Sequence, residues 1–224
     1  RSPLFSQLLK DLSEINGIER IRFTSPHPKD LRLETMEAMA ESKAVCSQLH
    51  LPMQSGNNRV LRAMRRGYTI ERYLEKLERV RSIVPDLHVS TDLIVGFPGE
   101  TDEEFEETLS VVAACSFDLA YTFIFSPREG TRAGDMKDQF VSDDVIKSRF
   151  AKLKAVTDRS ALLRHESREG IVEEVLVEGT SRTKEDRFSG RTRQGKLVHF
   201  AHDNARVRPG SLVEVVITHG APYH

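Results

Sequence analysis

The stretch Val89 to Thr101, VSTDLIVGFPGET, constrains the fold more than any other part of this 224-residue chain. Alternation from Leu87 sends Leu87, Val89, Thr91, Leu93 and Val95 to one face of a strand, and His88, Ser90, Asp92 and Ile94 to the other. The first face is apolar and the second mostly polar. A parallel strand covered by helices on both sides reads as apolar on both, so Ser90 and Asp92 predict a face that looks into a wet space, such as a barrel lumen holding a ligand. The strand ends at Gly96-Phe97-Pro98-Gly99, where Pro98 presets a turn and Gly99 accepts positive φ at little steric cost. Thr101, with Glu104 three residues later, makes a capping box and opens a helix.

The rest of the first two thirds repeats this strand-turn-helix unit. Ser2-Pro3 caps a helix over roughly 3–16, with Leu4, Phe5, Leu8, Leu9, Leu12 and Ile15 as its apolar stripe. A strand over 18–25 follows, closed by Pro26-His27-Pro28, then a helix over 31–42 and a strand over 45–51 whose Cys46, Gln48 and His50 face is the more polar. The loop Met53 to Asn58 leads into a short basic helix carrying Arg59, Arg62, Arg65 and Arg66 and ending at Gly67. Thr69 opens a helix with Ile70, Tyr73, Leu74, Leu77, Val80 and Val84 at helical spacing, stopped by Pro85. After the organising strand and its capped helix comes another strand over 119–125, and strands alternating with such helices predict βα units and a parallel sheet. A long helix spans 142–168. From Gly170 on, four short strands over 171–177, 187–192, 196–201 and 212–218, separated by glycines, predict a small β-barrel or sandwich. The expected division is 1–166 and 167–224.

Composition narrows the functional classes. With 33 Lys and Arg against 34 Asp and Glu, the chain lacks the overall basic charge of a dedicated nucleic-acid binder, so any such footprint is local. No run approaches the ~18 apolar residues of a membrane span, and the N-terminus has no apolar signal-peptide core. A cytoplasmic protein without a membrane partner is expected. The first residue is Arg1 rather than Met, which suggests a piece cut from a longer protein. The two cysteines, Cys46 and Cys115, fit neither a disulfide framework nor a zinc site, so no metal ligand is assigned.

No nucleophile elbow, phosphate-binding loop or H-E-x-x-H is present. What remains is positional, because ligands of parallel βα sheets and barrels sit beyond the C-terminal ends of the strands. Those ends carry His27, Gln54, Ser55, Ser90, Asp92, Glu100 and Arg128. Asp92 is the most informative, since a buried carboxylate without a partner is costly. Ser55 is alternatively a helix cap, and Glu100 alternatively a favourable charge at a helix N-terminus. In the C-terminal module Arg182, Lys184, Arg187, Arg191, Arg193 and Lys196 surround Phe188, with only Glu185 and Asp186 opposing them. Cations interleaved with an aromatic ring on a small barrel suit single-stranded RNA, and an ordinary charged hairpin is the alternative.

Five segments, IRFTSPHPKD (21–30), LHLPMQSGNNRVLRAMRRGYT (49–69), STDLIVGFPGETDEEFEETL (90–109), FIFSPREGT (123–131) and VLVEG…SGRTRQGKLVHF (175–200), together resemble the MiaB-type tRNA methylthiotransferases of the radical S-adenosylmethionine family. The resemblance implies an α/β fold: the C-terminal portion of a partial parallel (β/α) barrel followed by a small all-β TRAM barrel that engages RNA. It implies transfer of a methylthio group to isopentenyladenosine beside the tRNA anticodon, with S-adenosylmethionine and [4Fe-4S] clusters as cofactors and tRNA as partner. By resemblance, Gln54, Ser55, Ser90, Asp92 and Glu100 contact the S-adenosylmethionine, and the six basic residues of 182–196 contact RNA. The family's CxxxCxxC cluster motif is absent, so the chain alone is expected to be inactive. An RNA-binding protein without catalysis, or a ribosomal-protein methylthiotransferase, is the alternative, and the open barrel edge offers a place for a homodimer.

Overall fold

The computed structural model describes residues 4–24, 26–181, 187–201 and 207–222. Helical spacing in the first third yields α1 (Leu4–Ser13) and α2 (Leu33–Glu41), the latter leading to a short strand β1 (Gln48–His50). Asn57 caps α3 (Asn58–Ala63), accepting from the backbone N–H groups of Arg59 and Val60, and Thr69 caps α4 (Ile70–Ile83). The strand β2 (His88–Val95) leads to α5 (Asp102–Cys115), whose predicted capping box between Thr101 and Glu104 is formed in both directions. Then come β3 (Leu119–Ile124) and the long helix α6 (Asp143–Glu166).

The three strands form one parallel sheet in the order β1-β2-β3, with Leu49 opposite Val89, His50 opposite Ser90 and Asp92 opposite Tyr121. Because the register is set by alternation, Leu49, Val89, Leu93 and Val95 all enter the core on the helix-covered face. There they meet Tyr73, Leu77 and Val80 of α4, Phe105 and Val112 of α5, and Leu153 of α6. Complete burial of each such side chain contributes about 1.5–3 kcal/mol.

Two expectations need correction. The strand over 18–25 is reduced to a single parallel bridge between Ile21 and Val45, and the flanking Arg20 and Arg22 send their guanidinium groups to carbonyls of the C-terminal sheet. The basic helix stops at Ala63 instead of running to Arg66, and Arg65 takes the left-handed φ of 57°.

The C-terminal strands β4 (Val172–Thr180), β5 (Phe188–Thr192), β6 (Leu197–Phe200) and β7 (Leu212–Val216) form an antiparallel sheet in the order β6-β5-β4-β7. Among the described residues its ladder joins neither β6 to β7 nor this sheet to the first. A small core of Val175, Val177 and Phe200 lies on one face.

The turn between β5 and β6 carries the polar contacts that dock the second sheet on the first. It reaches the N-terminal edge of the parallel strands. Arg193 donates to the carbonyls of Lys43 and Val45 at 2.6 and 3.1 Å, and Gln194 donates to Asp86. Gly195 takes a φ of +83°, a left-handed conformation that glycine adopts without strain, and lies against the ends of the Gln48 and Arg22 side chains. Lys196 reaches Asp118 at 2.8 Å, with both side chains almost completely buried.

Asp118 is the hub of this edge, accepting also from the Val89 N–H at 2.9 Å and the Arg164 Nε at 3.2 Å. Burial pushes its carboxyl up, but the neighbouring positive groups outweigh that and bring its pKa down to about 2. Burial lowers the Lys196 ammonium at the same time, which opposes the ion pair. Lys196 and Arg164 beside Asp118 nonetheless favour its charged carboxylate, to which the Val89 amide also donates. His88, 3.7 Å from Asp118, is driven by burial down to about 3 and is neutral near pH 7, so it adds no charge there.

A pH dependence follows from His88. Its folded pKa lies below the ordinary 6.5, so the stability it contributes is complete above that value and is lost as pH falls towards 3. Urea midpoints measured between pH 7 and 4 should fall with acidity, and His88→Gln should show a shallower fall; an unchanged slope would contradict the assignment.

Candidate active site

The face of the parallel sheet opposite the core carries the polar alternates of each strand. Gln48 and His50 come from β1, Ser90 and Asp92 from β2, and Tyr121 and Phe123 from β3, brought into line by the register. His50 is the centre. Its Nδ1 lies 2.9 Å from the Ser90 Oγ and its Nε2 lies 3.3 Å from the Asp92 Oδ2. Its ring also meets Tyr121 edge-on at 5.8 Å. The His50 Nδ1 and the Ser90 hydroxyl share a hydrogen bond whose direction follows the imidazole tautomer, and Nε2 lies against the Asp92 carboxylate.

Asp92 is held through one oxygen only. Its other carboxylate oxygen has no partner among the described residues, and its side chain is 27% exposed. A carboxylate fixed on one side and open on the other is an acceptor waiting for an N–H or O–H donor. Tyr121 and Phe123 beside it are 49% and 51% exposed. The wall can therefore both stack a planar group and accept a hydrogen bond from it.

The other residues predicted from sequence are distributed differently. Gln54 lies beyond β1 with a positive φ of 70°, and its backbone pairs with Asp92 and Ile94 of β2, so it extends the sheet by one step. Ser55 is fully buried between layers, 3.3 Å from Thr108 of α5, and accepts from the Asn57 N–H. Asn57, not Ser55, caps α3. A Cβ on Gly56 would come 2.7 Å from the Thr108 Cα, which is why the loop after β1 can press against α5.

Glu100 closes the turn after β2. Its carboxylate accepts from the Gly96 N–H at 2.9 Å and from Arg149 of α6 at 3.1 Å, while Arg149 also pairs with Asp102 and stacks over Phe105. Burial raises the Glu100 carboxyl, opposed by the Gly96 amide and Arg149. Glu100 thus ties the mouth of the sheet to α6 rather than opening into it.

Of the basic residues in the C-terminal module, Arg182 and Lys184 lie outside the described residues. Arg187 is exposed. Arg191 is exposed too, with an ion pair to Glu178 at 3.1 Å. Arg193 and Lys196 point into the docking edge, where their donors are already engaged. His50 is the site residue that the strand-end argument passes over as a ligand-facing group. Alternation nonetheless marks it, two residues from Gln48 on the polar face of its strand.

Comparison with known proteins comes to the same architecture. Residues 3–112 match the Radical SAM superfamily. The chain is similar to tRNA-2-methylthio-N(6)-dimethylallyladenosine synthase 1 of Mycobacterium marinum, at 48% identity over 98% of this chain and 42% of that protein. It is also similar to the corresponding synthase of Carboxydothermus hydrogenoformans, at 45% identity over 99% of this chain and 50% of that protein. The chain thus spans about half the length of these relatives. Among solved structures, coproporphyrinogen III oxidase from Escherichia coli, described as a radical SAM enzyme, matches with a TM-score of 0.52. That match is 19% identical and covers 74% of this chain and 45% of the other, which shows the fold alone.

The role of Glu100 has a direct test. Removing Arg149 leaves a buried carboxylate without its cation, which costs about 3–5 kcal/mol. Arg149→Met should therefore lower the urea midpoint strongly, and Glu100→Gln combined with Arg149→Met should recover part of the loss. Unchanged stability of the single variant would place Glu100 outside the structural clamp.

Proposed function

We propose that this chain, a relative over nearly its whole length of the MiaB-type tRNA methylthiotransferases in the radical S-adenosylmethionine superfamily, is the C-terminal part of such an enzyme. Similarity at 45–48% identity across almost all of the chain carries the reading. The reaction is transfer of a methylthio group to isopentenyladenosine next to the tRNA anticodon. In this reading residues 1–166 are a portion of the radical domain and 167–224 a TRAM-like RNA-binding module.

The residues present fit the two cofactors unequally. A [4Fe-4S] cluster takes several thiolates. The chain has only Cys46 and Cys115, both buried, and burial pushes the Cys115 thiol up to about 11. Among the described residues no group of three His, Cys, Asp or Glu side chains is arranged to hold a metal. The cluster does not fit this chain, and no step is derived through it. S-Adenosylmethionine supplies, when bound, the methyl group and the radical precursor of such enzymes.

The polar wall fits its nucleoside or amino-acid donors: Asp92 offers an open acceptor, and Ser90 and His50 hold that acceptor in place. Gln54 borders the wall through its backbone. Ser55 and Glu100 support it, Ser55 by bracing the loop against α5 and Glu100 by fixing the turn after β2. The helices and sheet exclude water from one side of the wall, and β3 leaves the other side open.

Of the six basic residues of 182–196, RNA contact falls to Arg187 and Arg191, which are exposed. No helix among the described residues is long and apolar enough to cross a membrane. The outer strand β3 is the edge at which a second copy would pair, and sedimentation of the chain tests that homodimer.

Two measurements test the reading. The full-length gene product should restore methylthio-isopentenyladenosine to the tRNA of a strain lacking the modification, while the 224-residue chain, incubated anaerobically with iron and sulfide, should gain no cluster chromophore. Arg187→Glu with Arg191→Glu should weaken tRNA binding and lower the salt slope by about 2, since each phosphate left without its arginine takes away about 0.9. Full-length protein that leaves tRNA unmodified would contradict the enzyme assignment, and unchanged affinity would contradict the RNA surface.

A further inference from the structure

We propose that Arg62, Arg65 and Arg66 form a docking surface for the phosphate backbone of RNA, at the open end of the parallel strands and separate from the C-terminal module. The inference takes its RNA from the methylthiotransferase reading and adds a contact surface outside the six basic residues of 182–196.

The first observation is that these arginines lack partners. Arg59, at the start of α3, grips Glu104 through two nitrogens and also donates to the Gly99 carbonyl, so it belongs to the fold. The guanidinium groups of Arg62, Arg65 and Arg66 make no hydrogen bond or ion pair among the described residues. Residues 51–70 contain no acid, and Glu71, the next one, has both carboxylate oxygens engaged by Asn58. Arg62 and Arg65 are exposed and Arg66 is half-buried. Cations clustered without a counter-charge attract an anion.

The second observation is the backbone that presents them. At the end of α3 the Arg65 N–H donates to the Arg62 carbonyl and the Arg66 N–H to the Leu61 carbonyl, both at 3.0 Å, which is the Schellman pattern. In that pattern the left-handed position is usually glycine, and here Arg65 occupies it with a φ of 57°. A helix C-terminus favours a cation in its last turn, and Arg62 answers that. It does not account for an arginine at the left-handed position, where the side chain adds no contact to the fold. Strained backbone of this kind points to function.

The third is location. The Tyr68 hydroxyl, two residues beyond Arg66, donates to the carbonyls of Pro52 and Met53 at 3.1 and 3.0 Å, just past β1. His27 meets the same ring edge-on at 5.5 Å. The arginine turn is thereby tied to the C-terminal ends of the strands, where the polar wall opens. The C-terminal module docks at their other end, and β2 between them has eight residues, about 26 Å at about 3.3 Å per residue. RNA that presents a base to the wall carries its phosphates past the strand ends, and the forked donors of arginine match phosphate oxygens.

The experiment is fluorescence anisotropy of labelled tRNA with the 224-residue chain over a KCl series. It compares Arg65→Gly, the double variant Arg62→Gln with Arg66→Gln, and the triple variant. Arg65→Gly removes a charge and relieves the left-handed φ, so the urea midpoint should not fall while tRNA binding weakens severalfold. The triple variant should weaken binding about tenfold or more and lower the salt slope by about 2 to 3, at about 0.7–0.9 per phosphate. Adding Arg187→Glu and Arg191→Glu to it should give the sum of the two slope losses, as two separate surfaces require. Inorganic phosphate at matched ionic strength should not displace the tRNA, because one anion cannot span the three cations. Circular dichroism checks each fold, and the double variant gives a reading that leaves the strained residue untouched.

A wild-type chain that does not bind tRNA, an unchanged salt slope in the folded variants, displacement by inorganic phosphate, or a combined loss no greater than that of the module alone overturns the proposal. Failure of the parent reading is separate: it appears as arginine-dependent tRNA binding intact while the full-length protein leaves tRNA without the methylthio group.

Discussion

The two-residue period of β2 is the constraint on which the rest depends. It is the central strand of the parallel sheet, and its pleat assigns every second residue to the helix-covered core and the others to the open wall. Val89, Leu93 and Val95 anchor the packing of three helices. Ser90 and Asp92, one step out of phase, meet His50 on the open face of the sheet. A slip of one residue would bury the carboxylate in the core and expose the leucine. The polar wall and the hydrophobic core are thus two readings of one register.

Both ends of that strand are tied by buried ion pairs. At its start, Asp118 gathers Lys196, Arg164 and the Val89 amide, locking the C-terminal sheet onto the N-terminal edge of the parallel strands. At its end, Glu100 gathers the Gly96 amide and Arg149, locking the turn to α6. Such pairs contribute little net stability over well-packed apolar side chains, because desolvation offsets most of the Coulomb gain. Their effect is on geometry, since any other arrangement leaves a buried charge unpaired. The docking turn closes one end of the wall and leaves the C-terminal strand ends as the way in.

The sequence was most legible where the signal was local. The capping box at Thr101 and Glu104, the alternation of β2 and the long period of α6 each lie within one element and form as their spacing predicts. It was least legible where a side chain's partner is remote. Lys196 reads as an exposed cation in a basic run, yet its partner Asp118 is 78 positions away. Arg193 donates to carbonyls about 150 positions away, which no spacing rule anticipates. Ser55 was ambiguous for the same reason, since Thr108 decides its role from another helix. Arg20 and Arg22, in the strand expected at 18–25, read as surface charges but donate to carbonyls of the second sheet more than 150 positions away. His50 needed only the neighbouring strand to be placed, and alternation already put it on the polar face.

The most direct test of this account is photo-cross-linking of tRNA to full-length protein carrying a photoreactive phenylalanine analogue in place of either Tyr121 or Arg193. The wall at Tyr121 is predicted to cross-link to the adenosine beside the anticodon, and the docking turn at Arg193 to give no RNA adduct. Cross-links from position 193 with none from position 121 would contradict the account, placing RNA at the edge where the two sheets meet and leaving the polar wall without its ligand.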